Sequence, residues 1–544
     1  MGRSIKSIST LIILFVLLSR NSRSQEVYVH VSNKDIYIFL DELANTGVIE
    51  LNSAIKPYSR MMIASRLSDA LNRIDQLNER QQDELRFYLK DYGKEMQPDK
   101  NFDRRRDLFY HKDTLFAFTL NPILGFSYFT NDSGGFYHRW NGAEAHAYVG
   151  RKFGFYASLR DNRENRRLSD PLYLNQFNAS NYKVDTEGGG DFDEMRGGIT
   201  YTWNWGSLGL VKDHFVWGDN YNGANIFSGH QPSFTFLKLH MNPVRWFDFN
   251  YVHGWLVSDV IDSSKSYINN QSVRIHYFPK YLAANMFTFT PLRKLQFSIG
   301  NSIVYSDQNV HPAYLIPVFF YKTIDHSLTS TGSNFLGQNS QFFANISSRN
   351  IRNLHLYSSL FVDEVAIGRM TDKDRHSNFY SLKVGAHASN LFIDNLFLTA
   401  EYTRTNPLAY RHYLITATFE SSSFNLGHYL KDNAQEVFLA VGYKPISRLH
   451  LEASSTFAQK GWDYRYTGVS YDLTGNGLGL PFIDRVTWQA SEYAFKARYQ
   501  LLHDAWVFGS FTVSDHHGLF DETYTMPYFR GKLNTVNLGA NIGF

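Results

Sequence analysis

The stretch Phe215-Val216-Trp217-Gly218-Asp219-Asn220-Tyr221-Asn222-Gly223-Ala224-Asn225 sets large aromatic rings beside short polar side chains. That pairing suits a sugar. An aromatic face stacks on the C–H surface of a pyranose ring, while carboxylates and carboxamides bind its hydroxyls. Trp217, Asp219, Tyr221, Asn222 and Asn225 are therefore the candidate carbohydrate-binding residues. The same composition also fits an ordinary barrel loop, because Asn, Gly and Asp are favoured in turns on conformational grounds.

Two other groupings have residue types suited to chemistry. In His387-Ala388-Ser389-Asn390 a His and a Ser lie two apart, so on a strand they share a face. Some outer-membrane lipid hydrolases activate a Ser in this way. Here the same face carries Lys383 and Gly385, and no Gly follows Asn390, so the reading is a polar strand face and no enzyme is expected. The run Gly188-Gly189-Gly190 lacks a following Lys-Ser or Lys-Thr and is no phosphate loop. With Asp185, Glu187, Asp191, Asp193 and Glu194 around it, it is either a divalent-cation loop or a solvated acidic loop, and the latter is the expectation. No catalytic residue, cofactor or metal is predicted.

The elements that must position these residues change character along the chain. From Leu115 onward the hydrophobic period is two. Val536, Leu538, Ala540, Ile542 and Phe544 alternate with Thr535, Asn537, Gly539, Asn541 and Gly543. Tyr493, Phe495, Ala497, Tyr499 and Leu501 repeat the pattern, as do Leu449-Leu451-Ala453, Leu382-Val384-Ala386, Phe247-Phe249-Tyr251 and Val273-Ile275-Tyr277. Alternation alone fits a secreted β-protein with an apolar core as well as a membrane barrel with an apolar exterior. Three features point to lipid outside. A terminal Phe544 closes an alternating strand, as in chains that bacterial insertion machinery recognises. Tyr402, Tyr443 and Tyr499 stand near strand ends, where aromatic girdles belong. The start of the chain reads as an export signal. Roughly 440 residues of such pattern allow about 16 to 20 strands, an even number.

That signal has Arg3 and Lys6 ahead of a short apolar run, Leu11 to Leu18, with Ser22 and Ser24 before Gln25. The run is too short for a membrane helix. The chain has no cysteine, so disulfides, cysteine metal sites and a lipidated cysteine are excluded. Its formal net charge of +3 over 544 residues gives no electrostatic reason to bind nucleic acid. Aromatic residues make up 16%, which suits a protein with interfaces to line.

Between Ser32 and Tyr92 the period is helical. Asn33 can cap a helix with Ile36, Phe39, Leu40 and Leu43 on one face, ended by Gly47. Ser59 can cap a second, carrying Ile63, Leu67, Leu71, Ile74 and Leu77. A third carries Leu85, Tyr88, Leu89 and Tyr92, closing at Gly93. The charged stretch from Asp99 to Asp107 reads as a linker. The expected domains are a signal peptide over 1–24, a periplasmic helical domain over 25–99 and an outer-membrane β-barrel over 100–544.

Several blocks, in order along the mature chain, resemble the Wzi-type capsule-assembly outer-membrane proteins. They include Leu40-Asp41-Glu42-Leu43, Lys56-Pro57-Tyr58-Ser59-Arg60, Trp217-Gly218-Asp219, Ser228-Gly229-His230-Gln231-Pro232, Tyr314-Leu315-Ile316-Pro317, Glu401-Tyr402-Thr403-Arg404 and Leu426-Gly427-His428-Tyr429-Leu430. The resemblance implies a transmembrane barrel of about 18 antiparallel strands behind a small α-helical domain. It also implies a non-enzymatic lectin that holds capsular or related surface polysaccharide. The chain departs from the family pattern at Asn285-Met286, where a His-Arg pair is usual, at Asn301, where an acidic residue is usual, and at Lys431-Asp432 in place of Gly-Pro. The expected partners are surface polysaccharide, outer-membrane lipid and envelope proteins met through the helical domain. The alternatives are an accessory or scaffolding barrel subunit and a passive channel.

Overall fold

The computed structural model describes residues 25–96, 103–186, 188–270, 272–329, 337–465 and 479–543. The expected signal peptide over 1–24, Asp99 and Lys100 of the expected linker, Glu187 and Phe544 lie outside the described residues.

Eighteen antiparallel strands close into one barrel. They are β1 Phe116–Asn131, β2 Gly134–Val149, β3 Phe153–Glu164, β4 Gly189–Trp203, β5 Gly206–Asp213 and β6 Phe234–Val244. Next come β7 Phe247–Leu256, β8 Lys280–Leu292, β9 Leu295–Ser306, β10 Asn339–Ser348, β11 Leu354–Glu364 and β12 Phe379–Ser389. The last are β13 Leu396–Thr405, β14 Ala434–Tyr443, β15 Leu449–Lys460, β16 Trp488–Leu502, β17 Ala505–His517 and β18 Gly531–Ile542. The ring shuts where β18 pairs with β1, from Val536 opposite Thr130 to Ile542 opposite Leu124. Below that seam a short strand, Phe109–Lys112, pairs with the foot of β1. Closure leaves no long open edge among the described residues, so the wall amides pair from strand to strand and not with water.

The face question that alternation left open is answered by exposure. Leu538 is 62% exposed and Val441 47%, whereas Glu436 on the other face of β14 is 1% exposed. A soluble barrel would show the reverse. The apolar face is the outer one, so this is a membrane-spanning barrel of the outer-membrane type. The stretch Val273-Ile275-Tyr277, read above as a strand, is not in the wall. Ser272–Arg274 instead pairs with Tyr267–Asn269 as a small hairpin within the β7–β8 connection.

Apart from the tight β1–β2 turn, connections alternate in length. Short turns join β2 to β3, β4 to β5, β8 to β9 and β16 to β17 at one end, and long loops join β3 to β4, β5 to β6, β9 to β10 and β13 to β14 at the other. The helices dock at the short-turn end. They are α1 Lys34–Asn45, α2 Arg60–Leu71 and α3 Glu79–Tyr92. Ile36, Phe39, Leu40 and Leu43 form the buried face of α1 and pack with Ile63, Leu67 and Leu85. Gly47 ends α1 at φ +85°, where a side chain would be strained and would also meet the Lys294 ammonium. Ser59 caps α2 by accepting from the Met62 amide at 3.2 Å. The single helix expected from Ser59 to Leu77 is two pieces. The α-helix stops at Leu71 and a single 3-10 turn follows at Ile74–Gln76, after which Asn78 starts α3 with a capping box completed by Gln81.

Ion pairs and hydrogen bonds fasten these helices to successive short turns. Lys444 reaches Glu84 at 2.8 Å, Arg80 reaches Asn395 at 2.9 Å, and Arg349 reaches Asn45 at 2.8 Å. Arg498 pairs with Asp35 at 2.7 Å. The three helices thus form a cap over that mouth of the barrel.

Candidate functional site

The barrel interior is asymmetric. On the side of β6 to β11 it is solid. The β5–β6 connection, residues 214–233, turns inward and crosses the lumen as far as the helical cap. Its residues Phe215, Trp217, Ile226 and Phe227 form an apolar core with inward side chains such as Phe236, Val252, Met286, Phe343 and Phe361. On the side of β14 to β18 the described residues leave adjoining cavities.

The path of the inward loop follows from its sequence. Trp217 exchanges backbone hydrogen bonds with Phe227 at 3.0 and 3.4 Å, closing the loop into a narrow finger. Gly218, at φ +96°, lets the chain turn directly after the indole, and its amide donates to Ala54 of the helical cap at 2.8 Å. Ile55 and Lys56 pair with Trp217 and Val216, so finger and cap share a two-stranded ribbon.

Beyond the ribbon each polar residue of the finger is held by a named wall or cap residue. Asp219 accepts from Ser53 and from Asn345 Nδ2, the latter at 2.7 Å, and its amide donates to Asn345 Oδ1 at 3.0 Å. The Tyr221 hydroxyl donates to Asp41 of α1 and lies 3.0 Å from His355 Nδ1, while its ring stacks on His387 at 4.1 Å. Glu401 accepts the amides of Tyr221 and Asn222 at 2.7 and 2.9 Å and the Lys383 ammonium at 2.9 Å. Asn222 donates to Glu436 at 3.1 Å and accepts from Gln176 at 2.8 Å. Asn225 donates to the Ser359 and Ser381 carbonyls, both at 3.1 Å. Burial would raise the Asp41 carboxyl, but the Arg349 guanidinium outweighs it and holds the group well below the ordinary carboxylate range. The Tyr221 phenol is pushed up by burial and by the Asp41 charge.

The five residues picked from sequence therefore divide. Trp217 and Asn225, 1% and 0% exposed, brace the finger and lie outside the cavity linings, while Asp219, 1% exposed, offers only an edge to the cavity beside Tyr221. Tyr221 and Asn222 line a cavity of about 370 Å³ between finger, cap and the β14–β15 wall, together with Lys34, Gln176, His387 and Tyr429. A second cavity of about 350 Å³ adjoins it toward the long-loop end. Its wall carries Ser454, Thr456, Ser510, Thr512 and Asn537, and its rim carries Phe177, Tyr429 and Phe529. A third, about 390 Å³, lies toward the cap beside Lys34, Asp35, Arg498 and Trp506. Lys34 and Lys496 belong to all three, so they adjoin along β15 to β18.

Gln176, Tyr429, Glu401 and Glu436 were not picked from sequence. Glu401 and Tyr429 stood in the blocks that carried the resemblance, but no spacing brings positions so far apart onto one asparagine. Asn285 and Asn301, two of the departures from the family pattern, do not face the lumen. Their neighbours Ala284 and Met286 do, so the asparagines point outward.

The remaining groupings are also accounted for. His387 bonds Thr399 at 2.8 Å beneath the Tyr221 ring, and Ser389 accepts from Asn45 of α1 at 3.0 Å. Of the acidic loop, Asp191, Asp193 and Glu194 lie on β4 and pair with Arg163, Lys183 and Arg160 at 2.7, 3.2 and 2.6 Å. His30, His214 and Glu194 have metal-ligand chemistry within 4.8 Å of one another. They form a hydrogen-bonded cluster in which His30 Nε2 lies 3.0 Å from His214 Nδ1, and Glu194 is engaged by Arg160.

No family model matches the chain, and no curated protein matches it in sequence. Among solved structures, it is similar to Wzi of Escherichia coli, described as an outer membrane protein involved in group 1 capsule assembly and a carbohydrate-binding β-barrel. The likeness has a TM-score of 0.57 at 10% identity and covers 96% of this chain and 100% of Wzi. OccAB2 of Acinetobacter baumannii gives a TM-score of 0.43 at 10% identity, over 78% of this chain and 97% of its own. The outer membrane protein OprD of Pseudomonas aeruginosa gives 0.40 at 10% identity, over 78% and 92%. The fold expected from the sequence blocks, that of Wzi, is the fold observed.

Proposed function

We propose that this barrel is a non-enzymatic lectin of the outer membrane that binds and anchors a surface polysaccharide, capsular or related. The observation that carries the reading is the cavity at the long-loop end. It joins a hydroxyl-rich wall, Ser454, Thr456, Ser510 and Thr512, to aromatic rims at Phe177, Tyr429 and Phe529 and to the carboxamides of Asn175, Gln176 and Asn222. Stacking faces beside hydroxyl partners are what a chain of sugar rings requires. The helical cap lies across the opposite mouth, which outer-membrane barrels turn to the periplasm with their short turns. A glycan strand thus enters from the cell surface and stops inside the barrel. The likeness to Wzi, described as carbohydrate-binding, supports the same reading.

The test is retention of purified barrel on immobilised envelope polysaccharide. Tyr429→Ala and Asn222→Ala are expected to weaken retention about tenfold each, the worth of one stacking or hydrogen-bonding contact. Retention on no envelope polysaccharide, or full retention by both variants, would remove the lectin. A second reading, a passive channel, is favoured by one observation: the three cavities adjoin through Lys34 and Lys496 from rim to cap.

A further inference from the structure

On the outer wall of β8 and β9, Asn285 and Asn301 stand directly opposite each other. Asn285 lies five residues below the upper end of β8, roughly 12 Å down a tilted strand and inside an apolar band about 25 Å tall. Two carboxamides facing acyl chains are costly unless their hydrogen bonds are made within the protein. Here they are. The β9–β10 connection folds back down the outside of the wall. Asn285 Nδ2 donates to the carbonyls of Pro317 and Phe319 at 2.8 and 2.9 Å. Asn285 Oδ1 accepts from Asn301 Nδ2 at 2.8 Å, and Asn301 Oδ1 accepts the Tyr321 amide at 2.9 Å. The Tyr251 hydroxyl donates to the Tyr314 carbonyl at 2.9 Å. Under the strap Phe249, Tyr251, Ala283, Ile303 and Tyr305 form an outward-facing cluster closed by Tyr314 and Tyr321.

The other side of the segment is its opposite. Leu315, Ile316, Val318, Phe319 and Phe320 are 38–56% exposed, and no charged residue occurs between His311 and Lys322. A loop built for water would turn its carbonyls out and its apolar side chains in. This one spends its carbonyls on the wall and presents its hydrocarbon outward. The exposed run continues the lipid-facing belt, since Phe342, paired with Asn301 on β10, is itself exposed.

We propose that residues 312–321 form a membrane-embedded strap whose occupant is the acyl-chain region of the bilayer. The two asparagines are its anchors. This rests on the barrel and not on the polysaccharide reading.

The chain contains no cysteine, so Val318→Cys carries one spin label in the full-length protein in phospholipid vesicles. Leu439→Cys on the bare wall and Lys373→Cys in a surface loop are the lipid and water references. The strap reading expects oxygen accessibility at position 318 to match 439, with loss of accessibility to a water-soluble nickel chelate relative to 373. Nickel accessibility matching 373 overturns it in favour of an aqueous loop. Low accessibility to both, with spin–spin broadening, overturns it in favour of a second copy of the chain. In the N285L/N301L background, the label at 318 is expected to gain mobility while the barrel keeps its heat-modifiable gel shift. Unchanged mobility in that intact barrel would show that the asparagines are not the anchors.

Discussion

The Arg349 guanidinium, in the turn between β10 and β11, donates to the Asp41 carboxylate of α1 at 2.6 Å. Asp41 also accepts from Tyr221 at the inward finger. One carboxylate thus links wall, cap and finger.

Arg349→Met removes a charge partner from a nearly buried pair. Such a loss typically costs about 3–5 kcal/mol, because the abandoned carboxylate stays buried. The expected outcome is early release of the cap. Protease should cut within 25–99 at temperatures where the wall still gives its β-sheet circular dichroism. A cap that survives as long as the unsubstituted one would show that the remaining turn contacts suffice.

Acid should release the cap, and base within the physiological range should not. Burial alone would raise the carboxyls of Asp41, Glu42 and Asp91. Arg349, Arg80 and Arg105 respectively outweigh it, and all three sit below their ordinary range. A group whose folded pKa is depressed contributes stability above its unfolded value, near pH 4. That stability is lost as pH falls through the lower folded value. Hydrogen exchange over α1 to α3 should therefore be flat from about pH 5 to 8, once corrected for intrinsic rate, and rise sharply below about pH 4. Loss of protection already at pH 6 would mean that other groups control docking.

Much of this architecture is legible in the residues, because it depends on period. Val536 to Ile542 alternate, and Ile36 to Leu43 recur at helical spacing, since one face of each must meet an apolar phase. What period does not carry is which apolar phase. Phe249 and Tyr251 alternate like any lipid-facing pair, yet they lie under the strap, whose residues come from beyond the next two strands. Trp217 beside Asp219 has the composition of a sugar platform. Its surroundings, Ile55 from the cap and Phe343 from β10, are distant in the chain and make it a core residue. Convergence of Gln176, Glu401 and Glu436 on Asn222 is a product of barrel closure and leaves no local mark.

That burial makes Trp217 a test of the finger and not of the ligand. Trp217→Ala removes the centre of the luminal core, a change that typically costs about 3–5 kcal/mol. The finger should loosen and single-channel conductance in planar bilayers should rise. Asn222→Ala leaves the core intact, so it should lower glycan retention without changing conductance. Equal conductance for both variants would place the barrier elsewhere.

The same measurement addresses the row of cavities along β15 to β18. Its cap-side end is closed by the start of α1, where Asp35 is held by Arg498 at 2.7 Å and by Trp506 Nε1 at 2.7 Å. Asp35→Ala frees that end and is expected to open a conducting path lined by Lys34 and Lys496. Crowding by the surrounding barrel wall, with Lys496 and Arg498 nearby, lowers the Lys34 ammonium to about 8, although its side chain reaches the cavities. Lys34 is then charged at pH 7 and largely neutral at pH 9. The path opened by Asp35→Ala should prefer anions at the lower pH and lose part of that preference as pH rises toward about 8, because loss of the Asp35 charge, which raises the Lys34 value, moves its titration lower. Lys34→Met in the same background should abolish the pH dependence. A selectivity that is flat across this range would show that ions pass without meeting α1.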